Sequence, residues 1–144
     1  LHTAIETTGY ASEEIFANVI INADLLLFDM KHYDREKHKK YTGVYNDFIL
    51  KNLAYAAGQN KEIIIRIPVI PDINNSISDA EGFCRLLSDF QLTNIDLLPF
   101  HQFGQKKYEQ LQLPYKMENI TALHSEDLTA YAEVFKQHGF TVKV

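Results

Sequence analysis

Tryptophan is absent from this 144-residue chain and cysteine occurs once, as Cys84. A single cysteine excludes an internal disulfide and any all-cysteine metal centre built from this chain alone. Long apolar runs are missing too. The longest fall far short of the roughly 20 residues a membrane span needs, and the N-terminus has neither a basic region nor a cleavage pattern. Positive charge is in deficit, with 14 Lys and Arg against 19 Asp and Glu for a net charge of −5. The basic residues fall in short groups such as Lys37-His38-Lys39-Lys40 and Lys106-Lys107, so no nucleic-acid stripe is present and DNA or RNA is not expected as the principal ligand. There is no phosphate loop and no hydrolase nucleophile motif. His32 and His38 stand six apart, a spacing that fits no simple helical metal pair. A cytoplasmic protein is the expectation from these absences.

What is present is regular. With 46% hydrophobic residues, 144 positions bury one good core, so one domain or part of one is expected. Strand-like runs alternate with helical patterns. Ser12-Glu13-Glu14 caps a segment whose apolar residues Ile15, Phe16, Val19 and Ile20 recur at helical spacing. After a strand from Asp24 come a polar segment, Asp34 to Lys40, and an amphipathic helix led by Asn46-Asp47 and stopped by Gly58. A strand at Ile63, a turn at Pro71 to Ser76 and a helix from about Ser78 to Phe90 follow. The next strand starts at Ile95, residues 101 to 124 form a long irregular stretch, and a last helix from Ser125 to about His138 leads to a strand at Phe140 to Val144. The strands are apolar almost throughout rather than alternating, which predicts an α/β fold with a parallel sheet covered on both faces. The 101 to 124 segment is too long for an ordinary connection and is expected to be a functional loop. Cys84 shares a helical face with Ala80, Phe83 and Leu87 and is expected to fill the core.

The apolar runs share one property. Ile5 closes on Glu6-Thr7, the Asp24 run closes on Asp29-Met30-Lys31, Ile63-Ile64-Ile65 closes on Arg66, and Ile95 to Phe100 closes on His101. If the runs are neighbouring parallel strands, these polar ends meet on one rim of the sheet, where α/β proteins keep their ligand sites. Asp29 and Lys31 are two apart on an extended segment and leave the same face, either as an ordinary ion pair or as a pair able to hold a zwitterion. Arg66 in so apolar a setting needs an acceptor, which is either a structural partner such as Glu6 or Asp29 or a ligand. His101 is the histidine expected to lie inside. The Glu6-Thr7-Thr8-Gly9 turn offers hard oxygen donors able to hold a cation or orient an amino group, and a glycine that lets backbone approach closely.

Taken in order, Ile5-Glu6-Thr7-Thr8-Gly9-Tyr10, Asp24 to His32, His38-Lys39-Lys40-Tyr41-Thr42-Gly43-Val44, Arg66-Ile67-Pro68-Val69-Ile70-Pro71 with Asn74, and Leu97-Leu98-Pro99-Phe100-His101 to Gly104 with Lys107-Tyr108 resemble the radical S-adenosylmethionine (SAM) activating enzymes of glycyl radical enzymes. Pyruvate formate-lyase activating enzyme is the familiar member. The resemblance implies that residues 1–144 are the C-terminal portion of one partial (β/α)6 barrel domain, with parallel strands alternating with helices. It implies SAM and a [4Fe-4S] cluster as cofactors, with reductive cleavage of SAM giving a 5′-deoxyadenosyl radical that takes a hydrogen atom from a glycine of the partner. The implied partners are a glycyl radical enzyme, such as pyruvate formate-lyase or a relative, and a reductant such as flavodoxin or ferredoxin. By motif, Asp29 and Lys31 match the SAM-binding pair, Arg66 and His101 match further cofactor-pocket residues, and Glu6-Thr7 match the turn that holds the methionyl end, through a monovalent cation near Glu6, Thr7 and Asp29.

The departures from the family are equally specific. Its C-x-x-x-C-x-x-C cluster motif and its Gly-Gly-Glu motif are absent, and position 6 is Glu where many members have Asp. Both missing motifs lie upstream in the family, and the chain opens at Leu1 in what reads as the middle of a strand, so a fragment inactive by itself is expected. Two other functions fit the residues alone: a barrel lyase of aldolase type in which Lys31 forms a Schiff base, and a non-catalytic partner-binding module.

Overall fold

The computed structural model describes residues 1–144. Five strands and six α-helices follow one another as β1 (Ala4–Thr7), α1 (Glu13–Ile20), β2 (Leu25–Asp29), α2 (Arg35–Thr42), α3 (Asp47–Ala57), β3 (Glu62–Val69), α4 (Ile77–Ser88), β4 (Asn94–Pro99), α5 (Gln105–Gln110), α6 (Thr129–Gln137) and β5 (Thr141–Lys143). The strands are parallel and lie side by side in chain order.

That order decides where the helices go. A right-handed crossover between parallel strands puts its helix on a fixed side, and the side changes only where the strand order reverses. Here it never reverses, so the helices collect on one face, as in a (β/α) barrel. Burial follows the same division. Leu26, Phe28, Ile63, Ile65, Ile67, Val69, Ile95 and Leu97 belong to one core cluster with the helices, whereas Leu25, Leu27, Ile64 and Leu98, which point the other way, are only half buried. The sheet is therefore covered on one face, not on both as its apolar strands suggest. The uncovered face carries Glu6, Asp29, Arg66 and Asp96, with Asp29, Arg66 and Asp96 in one register row.

Local chemistry explains the helix ends. Ser12 accepts the Ile15 N–H at the start of α1, and Ser76 and Asp79 form a reciprocal capping box at the start of α4. The Asp34–Lys40 segment, polar throughout, is helix α2: Asp34 caps it by accepting the Lys37 N–H, and Gly43 in the left-handed region closes it. Its apolar periodicity is missing because it buries a single side chain, His38. The 101 to 124 segment contains a 3₁₀ turn at Gln102–Gly104 and the short α5, and the last helix opens as a 3₁₀ turn at Ser125–Leu128 before α6.

Cys84 is a core residue, 1% exposed, and burial pushes its thiol up to about 12. Helix α2 is tied to α4 by Lys37 Nζ, 3.3 Å from Asp79 Oδ1, while the Tyr33 hydroxyl donates to the same oxygen at 3.2 Å. Burial opposes ionisation of Asp79, but the Ser76 hydroxyl and N–H, together with Lys37, outweigh it and hold this carboxyl below the usual carboxylate range.

Candidate functional site

Four charged side chains form one row across β1, β2 and β3: Glu6 and Asp29 stand at the C-terminal ends of β1 and β2 and Lys31 follows β2, whereas Arg66 lies inside β3, which runs on to Val69 rather than closing there. Lys31 Nζ lies 2.8 Å from Asp29 Oδ2, Arg66 Nη1 lies 2.9 Å from Glu6 Oε2, and Arg66 Nε lies 3.7 Å from Asp29 Oδ1. The order Lys31, Asp29, Arg66, Glu6 alternates in sign. Asp29 and Arg66 are cross-strand neighbours in register, so the sheet itself sets their spacing. Burial is uneven along the row: 13% of the Asp29 side chain and 20% of Arg66 are exposed, against 37% of Lys31 and 60% of Glu6. The 3.7 Å approach exceeds hydrogen-bonding distance, and Asp29 Oδ1 is a buried oxygen with no hydrogen-bond partner. Such an atom calls for a donor from outside the chain. A carboxylate oxygen open to an incoming ammonium, flanked by two cations able to receive a carboxylate, suits the zwitterionic end of an amino acid.

Thr7 Oγ1 accepts the Gly9 N–H at 3.0 Å and so shapes the turn after β1. Arg66 stands between Glu6 and Asp29, and no cluster of three or more His, Cys, Asp or Glu is placed to hold a metal ion. His101 is on the rim after β4 but is exposed rather than inside: its ring lies 4.1 Å from that of Phe103, and its Nδ1 is 3.4 Å from the Phe103 N–H. The inward-facing positions of β4 are taken by Ile95 and Leu97, and Phe100 turns in after them, which leaves His101 pointing out.

The buried histidines are His32 and His38, each 1% exposed, which the sequence ranked below His101. His38 Nδ1 lies 2.7 Å from the Val44 carbonyl, and its Nε2 is buried without a partner. His32 sits among the rings of Tyr33, Tyr41 and Phe83. Its Nδ1 accepts the Asp34 N–H at 3.0 Å, so its Nε2 carries the proton that faces the Ile73 carbonyl at 3.3 Å. Burial lowers its pKa, although the contact with the Ile73 carbonyl opposes this. The unfolded chain binds a proton at His32 more readily than the folded one, so its contribution to stability is full above the ordinary histidine value of 6.5 and declines as pH falls below it. Thermal unfolding between pH 7 and pH 5 is expected to show the midpoint falling with acidification, and His32→Asn is expected to flatten that slope. An unchanged slope in the variant would show that other groups cause it.

Three buried asparagines clamp the loops that build the rim. Asn52 Nδ2 donates to the carbonyls of Gly9 and Ala11 after β1, at 2.7 and 3.0 Å. Asn46 Nδ2 donates to the His32 and Tyr33 carbonyls after β2, at 3.4 and 3.1 Å. Asn74 accepts the Ile70 N–H at 2.7 Å and donates to the Pro68 and Lys31 carbonyls at 2.8 and 3.3 Å. In the sequence Asn46 reads only as a helix lead-in, and Asn74 as a turn residue that the family resemblance includes; Asn46 makes no cap hydrogen bond. The one local signal is an asparagine inside the apolar stripe of α3, at Asn52.

No protein-family model matches the chain. It is 36% identical over 146 residues to the 4-hydroxyphenylacetate decarboxylase activating enzyme of Clostridioides difficile, covering 100% of this chain and 46% of that protein. It is also 36% identical over 148 residues to the choline trimethylamine-lyase activating enzyme of Oleidesulfovibrio alaskensis, covering 100% of this chain and 48% of the relative. The chain thus spans about half the length of the curated relatives it matches. A crystal structure of a domain of pyruvate-formate lyase-activating enzyme from Bacteroides vulgatus superposes with a TM-score of 0.77 at 25% identity, covering 99% of this chain and 80% of that one. In sequence over its whole length, and in fold, this chain is thus similar to the activating enzymes of glycyl radical enzymes, the radical SAM family that its ordered motifs resemble.

Proposed function

We propose that the protein to which this chain belongs generates a glycyl radical on a partner enzyme, and that residues 1–144 are the C-terminal portion of its single barrel domain. The observation that carries this reading is the alternating row Lys31, Asp29, Arg66, Glu6, with one buried carboxylate oxygen left open. The donor set fits SAM. Asp29 Oδ1 would accept from the ammonium of its methionyl end, while Lys31 and Arg66 would offset its carboxylate. Thr7 keeps the β1 turn in shape, and His101, further along the rim, offers a ring and a hydrogen-bonding nitrogen to the nucleoside end. A monovalent cation near Glu6, Thr7 and Asp29, which the resemblance implies, would have to displace Arg66 from Glu6.

The residues do not fit the [4Fe-4S] cluster. Cys84 is the only cysteine, and its buried thiol, pushed up to about 12, is a poor source of thiolate. The cluster ligands of the proposed enzyme therefore lie outside these residues. In the full-length protein, SAM and a cluster held by other residues would supply the one-electron chemistry for removing a hydrogen atom from a glycine of the partner, and a reductant of the flavodoxin or ferredoxin kind would supply the electron. The partner is a glycyl radical enzyme, pyruvate formate-lyase or one of its relatives.

The test is calorimetric titration of SAM into the cluster-reconstituted full-length protein. Asp29→Asn and Lys31→Ala are expected to weaken binding at least about tenfold, since each removes a charge from a partly buried site. Lys136→Ala, on the exposed side of α6 with 54% of its side chain in solvent, is expected to leave binding unchanged. Equal affinity across all of these proteins would overturn the assignment.

A further inference from the structure

Charge on the uncovered face of the sheet runs further than the ion pairs do. Register sets Asp29, Arg66, Asp96 and Lys143 level with one another on β2, β3, β4 and β5, so the sign alternates from strand to strand. Asp29 and Arg66 are engaged in the site, but the half-buried Asp96 makes no salt bridge. Arg66 thus bypasses its nearest carboxylate. Asp96 is its partner in register on the adjacent strand, where strands lie about 4.8 Å apart. Glu6 stands two strands away in the other direction and level with Ile64, nearer the start of β3, yet it receives Arg66 Nη1 at 2.9 Å. The guanidinium therefore reaches diagonally over β2, with its Nε 3.7 Å from Asp29 Oδ1, the oxygen that has no hydrogen-bond partner.

This pose closes the row. An ammonium arriving at Asp29 Oδ1 meets the Arg66 cation at close range, and repulsion between like charges opposes its binding. The Nη1 that would receive a ligand's carboxylate is held by Glu6. For Arg66 to move it needs a second acceptor, because a largely buried guanidinium is costly to leave unpaired. Asp96 supplies one on the neighbouring strand. Leaving Glu6 loses little, since that carboxylate is mostly exposed and ion pairs at such positions are weak. With one edge of its planar fork on Asp96, the guanidinium keeps its other donors for a ligand's carboxylate. Lys143 does not occupy the seat: it is exposed on the short edge strand β5 and makes no salt bridge.

We propose that Asp96 is a positioning residue, which takes the Arg66 guanidinium over from Glu6 on binding of the zwitterionic end of SAM and so clears Asp29 Oδ1; this rests on the SAM site proposed above. The test is calorimetric titration of SAM into the cluster-reconstituted full-length protein. Asp96→Asn is expected to weaken binding about tenfold, and Asp96→Glu, which keeps the charge, to restore most of the loss. Because Asp96 acts through Arg66, adding Asp96→Asn to a protein that already carries Arg66→Gln is expected to change affinity by less than about twofold. A general loosening of the sheet would weaken binding by the same factor in both backgrounds, and that result would overturn the proposal. Undiminished binding by Asp96→Asn would do so too, as would loss of its effect in a Lys143→Ala background, which would make Lys143 the partner. In a crystal structure of the SAM complex a guanidinium nitrogen of Arg66 is expected within about 3.2 Å of an Asp96 carboxylate oxygen, and Arg66 still seated on Glu6 would count against the second seat. If the unsubstituted protein binds no SAM, the proposed function falls and the role of Asp96 with it, whereas binding that is insensitive to Asp96→Asn removes Asp96 alone.

Discussion

Replacing Gly9 with alanine is expected to lower stability by about 3 kcal/mol, from about 1–2 kcal/mol for left-handed backbone and a similar amount for a forced shift in the core. Gly9 has φ +69°, a region that side-chain-bearing residues rarely adopt, and a methyl group built on it overlaps the Phe28 ring. Phe28 is fully buried and packs edge-on against Phe16 of α1, so the ring has no empty volume to enter. The turn would have to lift off β2, pulling the Gly9 carbonyl from Asn52 and moving Glu6 and Thr7, which lie just before it. The measurement is thermal unfolding of the full-length protein, where the midpoint is expected to fall by about 5 °C. A midpoint within a degree or so of the parent would show that the turn relaxes freely and that its left-handed glycine is not required.

Asn74→Ala is expected to cost a comparable amount, about 3 kcal/mol, through hydrogen bonding rather than sterics. The side chain is fully buried and serves three backbone groups: the Ile70 N–H and the carbonyls of Pro68 and Lys31. Alanine leaves these groups without their partner, in space too apolar to supply replacements. The Asn74 carbonyl still accepts from the Tyr131 hydroxyl at 2.9 Å, so the loop stays anchored to α6 while its connection to β2 is lost. Amide hydrogen exchange reads this directly: the Ile70 amide is expected to exchange much faster, while amides in the middle of β3 such as Ile65 change only as far as global stability does. Equal acceleration at both positions would mean that Asn74 acts on the whole fold and not on the rim.

These two residues mark where the sequence could be read and where it could not. Gly9 lies in a turn whose flexibility was apparent from Thr7-Thr8-Gly9, but the ring that confines it lies on the next strand, at Phe28. Asn74 was visible in the turn that follows Arg66-Ile67-Pro68-Val69-Ile70-Pro71, yet its bond to Lys31 spans 43 positions and ends on a carbonyl. Carbonyls are the same at every residue, so no pattern of side chains announces such a contact. The same holds for Asn46 and Asn52.

The histidines divide on similar grounds. His101 was expected inside because an apolar run precedes it, but a strand's alternation ends with the strand, and the residue after Phe100 turns outward. His38 lies in a segment with hardly any apolar residues, and its burial comes from packing above the sheet that the segment does not encode locally. Helix α2 was missed for this reason, whereas α1, α3 and α4 were recognised from their caps and stripes.

Taken alone, the sequence determined the alternation of strands and helices, the burial of Cys84, the Asp29 and Lys31 pair and the ordered motifs that carry the family resemblance. All of these are written in side-chain type at short spacing, which is where local propensity and periodicity act. Only the tertiary structure decided that one face of the sheet stays uncovered, that Arg66 joins Glu6 to Asp29 and that asparagines clamp the rim. Each of these depends on strand order and on partners distant in the chain, and an uninterrupted order of parallel strands, with its helices gathered on one side, is what leaves the charged row open to a ligand.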